Sequence, residues 1–249
     1  MDKKGNTYLY CVIKVKKSRS FSIEGMDGAT PYTIGDGKLA VVVSDTPREN
    51  YDFIREHLLA HQKVIEYVMR SGYDVLPVRF GTVAKASTDI EEKLLRARAQ
   101  ELVDEFKIVE GRTELGVRAI WKDMPRVFQE IVAEYPEIQK AKVLAQKNPI
   151  QFRVAAVGEL VKRALDAKRA QEAKKIAESL GVLAVDTKER DLLAEAMILS
   201  SAFLVSKAKE KVFDEQVRKL EQYGAGKGIM FKYFGPIPAY NFVEIHLHI

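Results

Sequence analysis

The sequence is nearly devoid of cysteine, since Cys11 is the only one in 249 residues. An intrachain disulfide is therefore impossible, which excludes a disulfide-stabilised secreted domain and favours a reducing compartment. Cys11 lies in an apolar, β-rich run, where we expect a buried and unreactive thiol.

Long hydrophobic runs are also absent. No apolar stretch approaches the roughly 20 residues that a membrane helix needs. The first residues, MDKKGNTY, lead into a predicted strand without the apolar region of a secretory signal. We therefore predict a cytoplasmic protein with no membrane partner.

A strong charge of one sign is lacking as well, because 40 basic residues face 35 acidic ones, for a net charge of +5. Basic pairs recur every six residues along a predicted long helix, but 100° of rotation per residue spreads them around the axis. Acidic residues are interspersed among them, which is typical of a solvated helix. A nucleic-acid-binding module stays open as an alternative function that this distribution disfavours.

The sequence contains patterns of both strands and helices. Alternating or continuous apolar residues predict strands at 7–15, 32–34, 38–44, 74–83, 115–121, 197–205 and 229–234. Helical spacing predicts helices at about 48–70, from a Thr88/Glu91 capping box to about 106, around Val127 and Ile131, from Asn148-Pro149 to 180, and up to Gly224. The seam of the first helix is predicted to comprise Ile54, Leu58, His61, Ile65 and Val68. The fold class is therefore α+β.

We predict two α+β domains and a tail. The first covers residues 1–111, with the boundary at Glu110–Arg112. The second, 112–234, is predicted to be a ferredoxin-like sandwich with a long helical insertion, and Val182–Val185 is the only candidate for its missing strand. The tail, 235–249, alternates apolar and polar residues from Val243 to its end, which predicts that Tyr240–Ile249 is a strand packed back on the first domain.

Two short segments carry the strongest functional signal. The first is Asp74–Val83, DVLPVRFGTV, in which Pro77 indicates an edge strand or a strand end and Gly81 a turn. The second is Phe234–Val243, FGPIPAYNFV, whose prolines end one strand and direct the next segment. The candidate partner-binding or structural residues are Pro77, Arg79, Phe80, Gly81, Gly235, Pro236, Pro238, Tyr240 and Phe242. Because Arg79 lies in an apolar stretch, we expect it to be buried and paired with a carboxylate or several backbone carbonyls, with contact to a partner protein as the second interpretation.

Together, in this order and about 160 residues apart, the two segments resemble the gas vesicle protein family GvpL/GvpF. The similarity extends to four further segments: Tyr8–Tyr10, His61–Glu66, Glu114–Val117 and Ala202–Val205. It thus covers nearly the whole chain. Ala239 departs from the pattern, because family members commonly have a second proline there.

This resemblance implies a non-enzymatic minor component or assembly factor of gas vesicles, without a cofactor. Its partners would be the small, very hydrophobic shell protein, whose aggregation it limits during nucleation, and other gas vesicle accessory proteins. Its location would be the gas vesicle or the surrounding cytoplasm.

A metal-dependent enzyme is the remaining alternative. His57 and His61 are four residues apart on a predicted helix, a spacing that can hold a metal ion. A zinc protease would need glutamate after the first histidine, where this chain has Leu58. His61 also lies on the apolar seam, so a hydrogen-bonded core histidine is the favoured interpretation.

Overall fold

The computed structural model describes residues 5–35, 37–148, 150–243 and 245, and the chain divides into two compact units. The first unit contains the chain up to Glu114 together with the segment from Gly235 onward, and the second contains Leu115–Phe234. In sequence, the second unit is therefore inserted into the first. The predicted division into two domains, 1–111 and 112–234, and a separate tail strand, 235–249, stays a prediction.

The first unit has one sheet and a set of helices. Its elements are β1 (Asn6–Lys14), β2 (Tyr32–Gly35), β3 (Leu39–Thr46), α1 (Arg55–Arg70), β4 (Val75–Pro77), β5 (Val83–Ala84), α2 (Ser87–Asp89), a π-helical segment (Ile90–Arg96) and α3 (Ala99–Val109). The strand order is β2-β3-β1-β4, and β5 also pairs with β1. Strand β1 pairs with three other strands, β3, β4 and β5, and is therefore central in the sheet; all three pairings are antiparallel.

The core of the first unit forms where α1 packs against β1. Strand β1 is buried from Thr7 to Ile13, as its apolar run predicts. Helix α1 buries His61, Val64, Ile65 and Val68, which recur at the spacing of one helical face. Cys11 is fully buried among them, and burial raises the pKa of its thiol, so the thiolate that reacts is disfavoured.

Three predictions for the first unit were wrong in detail. Helix α1 begins at Arg55 instead of 48, and Ile54 and Leu58 of the predicted seam are exposed. The segment Asp74–Val83 forms two short strands separated by a turn, because Gly81 has a φ of +81° that no strand accommodates. The Thr88/Glu91 capping box does not form, since the helix begins at Ser87 without a side-chain cap.

The second unit combines a four-stranded antiparallel sheet with four helices. Its elements are β6 (Arg112–Trp121, which begins in the first unit), α4 (Met124–Glu134), α5 (Pro136–Lys147), α6 (Gln151–Gly181), β7 (Asp186–Glu189), β8 (Met197–Ser206), α7 (Glu210–Gly226) and β9 (Ile229–Ile237). The strand order is β7-β8-β6-β9. The α+β prediction is thus confirmed in both units, while the ferredoxin-like description stays an interpretation of this order.

Helix α6 dominates the second unit. Its 31 residues span about 46 Å, as predicted. It begins at Gln151 after Ile150, and no side-chain cap is present, so the predicted Asn148 cap was wrong; Pro149 lies outside the described residues. Its buried side chains begin only at Ala164, which leaves the first turns exposed. Within the described ranges, no helix is both long and apolar enough to cross a membrane.

Two strand predictions in the second unit need correction. The strand expected at Val182–Val185 lies at Asp186–Glu189, because residues up to Ala184 continue the turn that ends α6. Strand β9 continues through Gly235 and Pro236 to Ile237 instead of ending at Phe234, and the Gly235–Pro236 peptide is cis.

The segment after β9 packs within the first unit. Residues 239–242 form a turn in which the Ala239 carbonyl accepts hydrogen bonds from the N–H groups of Phe242 and Val243. Val243 and Ile245 are buried, and Ile245 forms a parallel bridge with Val78. The predicted continuous strand from Tyr240 was therefore wrong at 240–242, and its residues 244 and 246–249 lie outside the described residues.

A close contact in the second unit explains one glycine of the resemblance. A Cβ atom on Gly116 of β6 would overlap the aromatic ring of Phe234 on β9. The Phe234 ring also lies under the guanidinium of Arg118, 5.5 Å from it. Only a residue without a side chain lets the ring lie flat on β6.

We expect Gly116→Ala to lower the free energy of unfolding by about 1–3 kcal/mol, because the methyl group collides with a ring that has packed neighbours. Gly158→Ala is the matched control, since Gly158 lies inside α6 and an added Cβ would meet no atom within 4 Å. That control should gain about 0.5–1 kcal/mol from helix propensity. Urea unfolding measures both, and equal effects would contradict the packing argument.

Truncation after Pro238 tests the role of the tail. We expect the truncated protein to lose stability, since Val243 and Ile245 each contribute about 1.5–3 kcal/mol of apolar burial before entropy. Truncation after Ile245 is the control that keeps both side chains. An unchanged melting temperature after the longer truncation would show that the tail does not stabilise the first unit.

Candidate functional site

A groove of about 470 Å³ lies where the two signature segments meet in the first unit. Three elements line it: α1, the turn after β4, and the segment that follows β9. Its lining residues are Leu58, His61, Gln62, Pro77, Val78, Arg79, Phe80, Tyr240 and Val243. Four of the nine predicted site residues, Pro77, Arg79, Phe80 and Tyr240, are therefore brought together, although they are far apart in sequence.

Tyr8 of β1 forms the inner wall behind this groove. Its ring centroid lies 5.0 Å from that of Tyr10, 4.9 Å from Tyr51, 5.7 Å from His61 and 6.5 Å from Phe80. These tilted and edge-on arrangements are the favourable ones for aromatic rings. The Phe80 side chain is thus held from within by an aromatic cluster, which orients the motif turn.

The Tyr8 hydroxyl connects three elements. It accepts a hydrogen bond from the Gly81 N–H at 3.1 Å and lies 2.9 Å from Nδ1 of His61. Because Tyr8 is fully buried, its own proton also needs an acceptor, and Nδ1 provides it. The imidazole proton is then on Nε2. Burial raises the pKa of the Tyr8 hydroxyl, which keeps this proton in place.

His61 is neutral at physiological pH. It is 4% exposed, and this burial lowers its pKa from 6.5 to about 4, with a smaller opposing effect of the Val78 backbone. Nε2 has no hydrogen-bond partner of good geometry within the described part of the chain. The Nε2 atom is therefore buried beneath the surface of the groove.

His57 does not share the surroundings of His61. Its Nδ1 lies 3.1 Å from the Asp52 carbonyl, and its ring packs edge-on against Tyr51 at 5.3 Å. Across residues 5–35, 37–148, 150–243 and 245, no group of three His, Cys, Asp or Glu side chains is placed to hold a metal ion. The other two of the four histidines in the sequence, His246 and His248, lie outside the described residues.

Arg79 differs from its predicted role. It is exposed, and among the described residues its guanidinium forms no ion pair, so the expected internal pairing with a carboxylate was wrong. Its carbonyl accepts a hydrogen bond from the Thr82 hydroxyl at 2.7 Å, which tightens the turn. The cation therefore lies at the rim of the groove, facing solvent.

The second signature segment is positioned by a buried carboxylate. Glu114 is fully buried, and its side chain accepts hydrogen bonds from the backbone N–H of Asn241, at 2.9 Å, and from the Asn241 side-chain amide. Hydrogen bonds to a carboxylate are stronger than those between neutral groups. They fix the turn that places Tyr240 and Val243 at the groove.

Five predicted site residues lie elsewhere in the segments. Gly81 supplies the turn, while Phe242 is half-buried beside the Asn241 turn and does not line the groove. Gly235 and Pro236 are exposed in β9, and Pro238 is buried with its carbonyl bonded to the Tyr240 N–H at 2.7 Å. Their positions are those of residues that direct the chain toward the groove.

An apolar surface continues outward from the groove along the start of α1. Phe53 is 71% exposed, and its ring centroid lies 4.9 Å from that of Phe80. Ile54, Leu58 and Leu59 are exposed next to it in sequence. Sequence reasoning assigned Ile54 and Leu58 to the core, because an apolar seam does not reveal which of its residues a neighbouring element covers.

Comparison with known proteins gives a consistent result. A family described as "Gas vesicle synthesis protein GvpL/GvpF" matches residues 6–244. Gas vesicle protein F of Nostoc sp. (strain PCC 7120) is 27% identical over 96% of this chain and 98% of its own length. Gas vesicle protein F1 of Halobacterium salinarum is 25% identical over 97% of this chain and 94% of its own length.

Solved structures have the same fold. The crystal structure of GvpF from Anabaena sp. PCC7120 superposes with a TM-score of 0.88 at 24% identity, covering 98% of this chain and 100% of that one. GvpF from Microcystis aeruginosa gives 0.84 at 22% identity, covering 96% and 99%.

The pKa of His61 predicts a specific dependence of stability on pH. Its folded-state value, about 4, lies below the usual 6.5, so the unfolded chain binds the proton first as pH falls. Stability should be full above pH 6.5 and decrease toward pH 4, with about 2 kcal/mol lost by pH 5. His61→Ala should cost about 1–3 kcal/mol at pH 7 and lack this loss.

His57→Ala is the matched control, and we expect a smaller cost with the wild-type pH slope retained. Chemical denaturation of the three proteins at several pH values between 4.5 and 7.5 provides the comparison. If His61→Ala keeps the wild-type slope, another group accounts for it.

Proposed function

Because the chain belongs to the GvpL/GvpF family of gas vesicle synthesis proteins, we propose that it is a non-enzymatic component or assembly factor that binds the small hydrophobic shell protein of the vesicle. In this role it limits aggregation of the shell protein before the wall is built. Its proposed location is the gas vesicle or the cytoplasm around it, and other gas vesicle accessory proteins are proposed as further partners.

The observation that carries this proposal is the apolar surface at the meeting point of the two signature segments. Exposed patches with several large apolar side chains usually mark interaction sites. Here Phe53, Leu58 and Leu59 adjoin a groove walled by Phe80 and Tyr240. A strongly apolar partner needs such a surface, because it must remain covered until it packs into the wall.

The groove also has features that give a partner a defined orientation. The Phe80 ring, which the aromatic cluster holds in place, gives the groove a fixed apolar wall. The Arg79 guanidinium at the rim can pair with a carboxylate. An apolar segment with one acidic residue fits these two chemical features.

Co-expression with the shell protein tests this function. Wild-type protein should retain shell protein in a pull-down and keep more of it soluble than an unrelated α+β protein does. The double variant Phe53→Ser/Leu58→Ser should weaken binding by about tenfold or more, because the two lost apolar contacts together contribute about 1.4 kcal/mol or more.

Val182→Ser is the matched control, since Val182 is 77% exposed and belongs to the second unit. It should leave retention unchanged. If wild-type protein retains no shell protein, the proposed function is wrong; if all variants retain it equally, another surface of the protein binds the shell protein.

A further inference from the structure

The connection between α5 and α6 exposes an unusual number of apolar side chains. Phe152, in the first turn of α6, is 80% exposed, and Leu144, in the last turn of α5, is 57% exposed. Val143, Ile150 and Val154 are also exposed. Within the second unit these five residues form one end of the helical hairpin, which we name the hairpin tip.

The hairpin tip is also basic. Between Glu137 and Glu159 the sequence has four cationic residues, Lys140, Lys142, Lys147 and Arg153, and no acidic residue. None of the four forms an ion pair with a carboxylate of the described residues. Farther along α6, by contrast, five of the six cations form ion pairs with described carboxylates, as Arg163 does with Glu159 at 3.1 Å.

A second surface of the same unit has the complementary character. A groove of about 600 Å³ lies between α6 and the β7–β8 region. The floor of its α6 side is formed by small residues, Ala170, Ala173 and Ala177, and Ile198 also lines the groove. The two cations of α6 that line it, Arg169 and Lys174, form ion pairs with Asp166 and Glu178 and so add no net charge. Ser201 also lines it, and the buried Ser201 hydroxyl has no hydrogen-bond partner in the described part of the chain.

The loop that borders this groove is apolar and acidic. Leu192 lines the groove, and Leu193 beside it is 81% exposed. Three carboxylates flank the two leucines, those of Glu189, Asp191 and Glu195, and Arg190 is the one cation among them. Within the described residues none of these carboxylates forms an ion pair. We name the groove and this loop the receiving surface.

The two surfaces of one molecule cannot meet. Arg169 of α6 donates to the Glu195 carbonyl at 2.9 Å, which fixes the loop beside the middle of α6. Phe152 lies 17 residues earlier on the same continuous helix, about 25 Å away along its axis. Any contact between the hairpin tip and the receiving surface must therefore involve two molecules.

We propose that this protein self-associates head to tail, with the hairpin tip of one copy docked on the receiving surface of a second copy. Phe152 enters the alanine-lined groove, which has room for an aromatic ring. The lysines of the tip meet the carboxylates of Glu189, Asp191 and Glu195. The contact is heterologous, so each copy keeps one free tip and one free receiving surface, and longer assemblies can form.

Light scattering at rising protein concentration tests self-association. We expect the wild-type mass to rise above 28.1 kDa at high micromolar concentration, and less so at high salt, because charge pairing contributes. The tip variant Leu144→Ser/Phe152→Ser and the loop variant Asp191→Lys/Leu193→Ser should each raise the dissociation constant by about tenfold or more. Val212→Ser, at an exposed apolar position of α7, is the control and should behave as wild type.

Mixing the two variants gives the decisive comparison. Each variant alone lacks one surface and should stay a monomer, whereas the mixture has one intact tip and one intact receiving surface. A 1:1 complex of twice 28.1 kDa, and no larger species, is expected. This outcome is independent of shell-protein binding, which involves the first unit.

Three results would overturn the proposal: a wild-type protein that stays a monomer throughout, a mixture that stays monomeric, or variants that self-associate as wild type does. A basic and apolar surface could also bind an anionic lipid membrane, and binding to vesicles of anionic phospholipid tests this second occupant of the hairpin tip. If wild-type protein binds the vesicles through the tip and forms no self-complex, the surface is a lipid contact and the proposal fails.

Discussion

The first unit depends on one buried hydroxyl group. Tyr8 Oη receives the Gly81 N–H and donates to His61, so a strand, a helix and the motif turn share one oxygen atom. In the low dielectric of a core such bonds are strong, and an unpaired member would be costly. The geometry of the groove therefore follows from the position of β1, which pairs with β3, β4 and β5. A shift of that strand would move the groove wall and the His61 ring together.

This dependence shows which parts of the structure the sequence could predict. Strand β1 and the buried face of α1 follow from local periodicity, because the pattern of apolar residues along the chain shows which side chains face the core. The bond between Tyr8 and His61 joins positions 53 residues apart, and nothing in either local pattern specifies it. His61 was correctly favoured as a core residue because it lies on the apolar seam, but its hydrogen-bond partner could not be deduced.

In the candidate site, too, some residues could be predicted from the sequence and others could not. Pro77 and Gly81 signal a strand end and a turn by their backbone chemistry alone, so their segment could be singled out. Glu114 could have been noticed as a carboxylate beside an alternating apolar strand, yet its partner, Asn241, is 127 residues away. Arg79 was misjudged because its neighbours in sequence are apolar while the turn directs its side chain outward. Residues that act through their own backbone conformation could be predicted from the sequence, whereas contacts with a residue far away in sequence could not.

The insertion of the second unit into the first has a consequence for biosynthesis. The groove needs Tyr240 and Val243, which are translated only after the 120 residues of Leu115–Phe234. At roughly 5–20 residues per second, about 6–24 seconds pass between the two halves of the first unit. A nascent chain thus displays α1 and the Phe80 turn before the closing segment exists, and recognition that uses the completed groove is necessarily post-translational. Chain order alone therefore delays completion of the groove until the whole second unit has been synthesised.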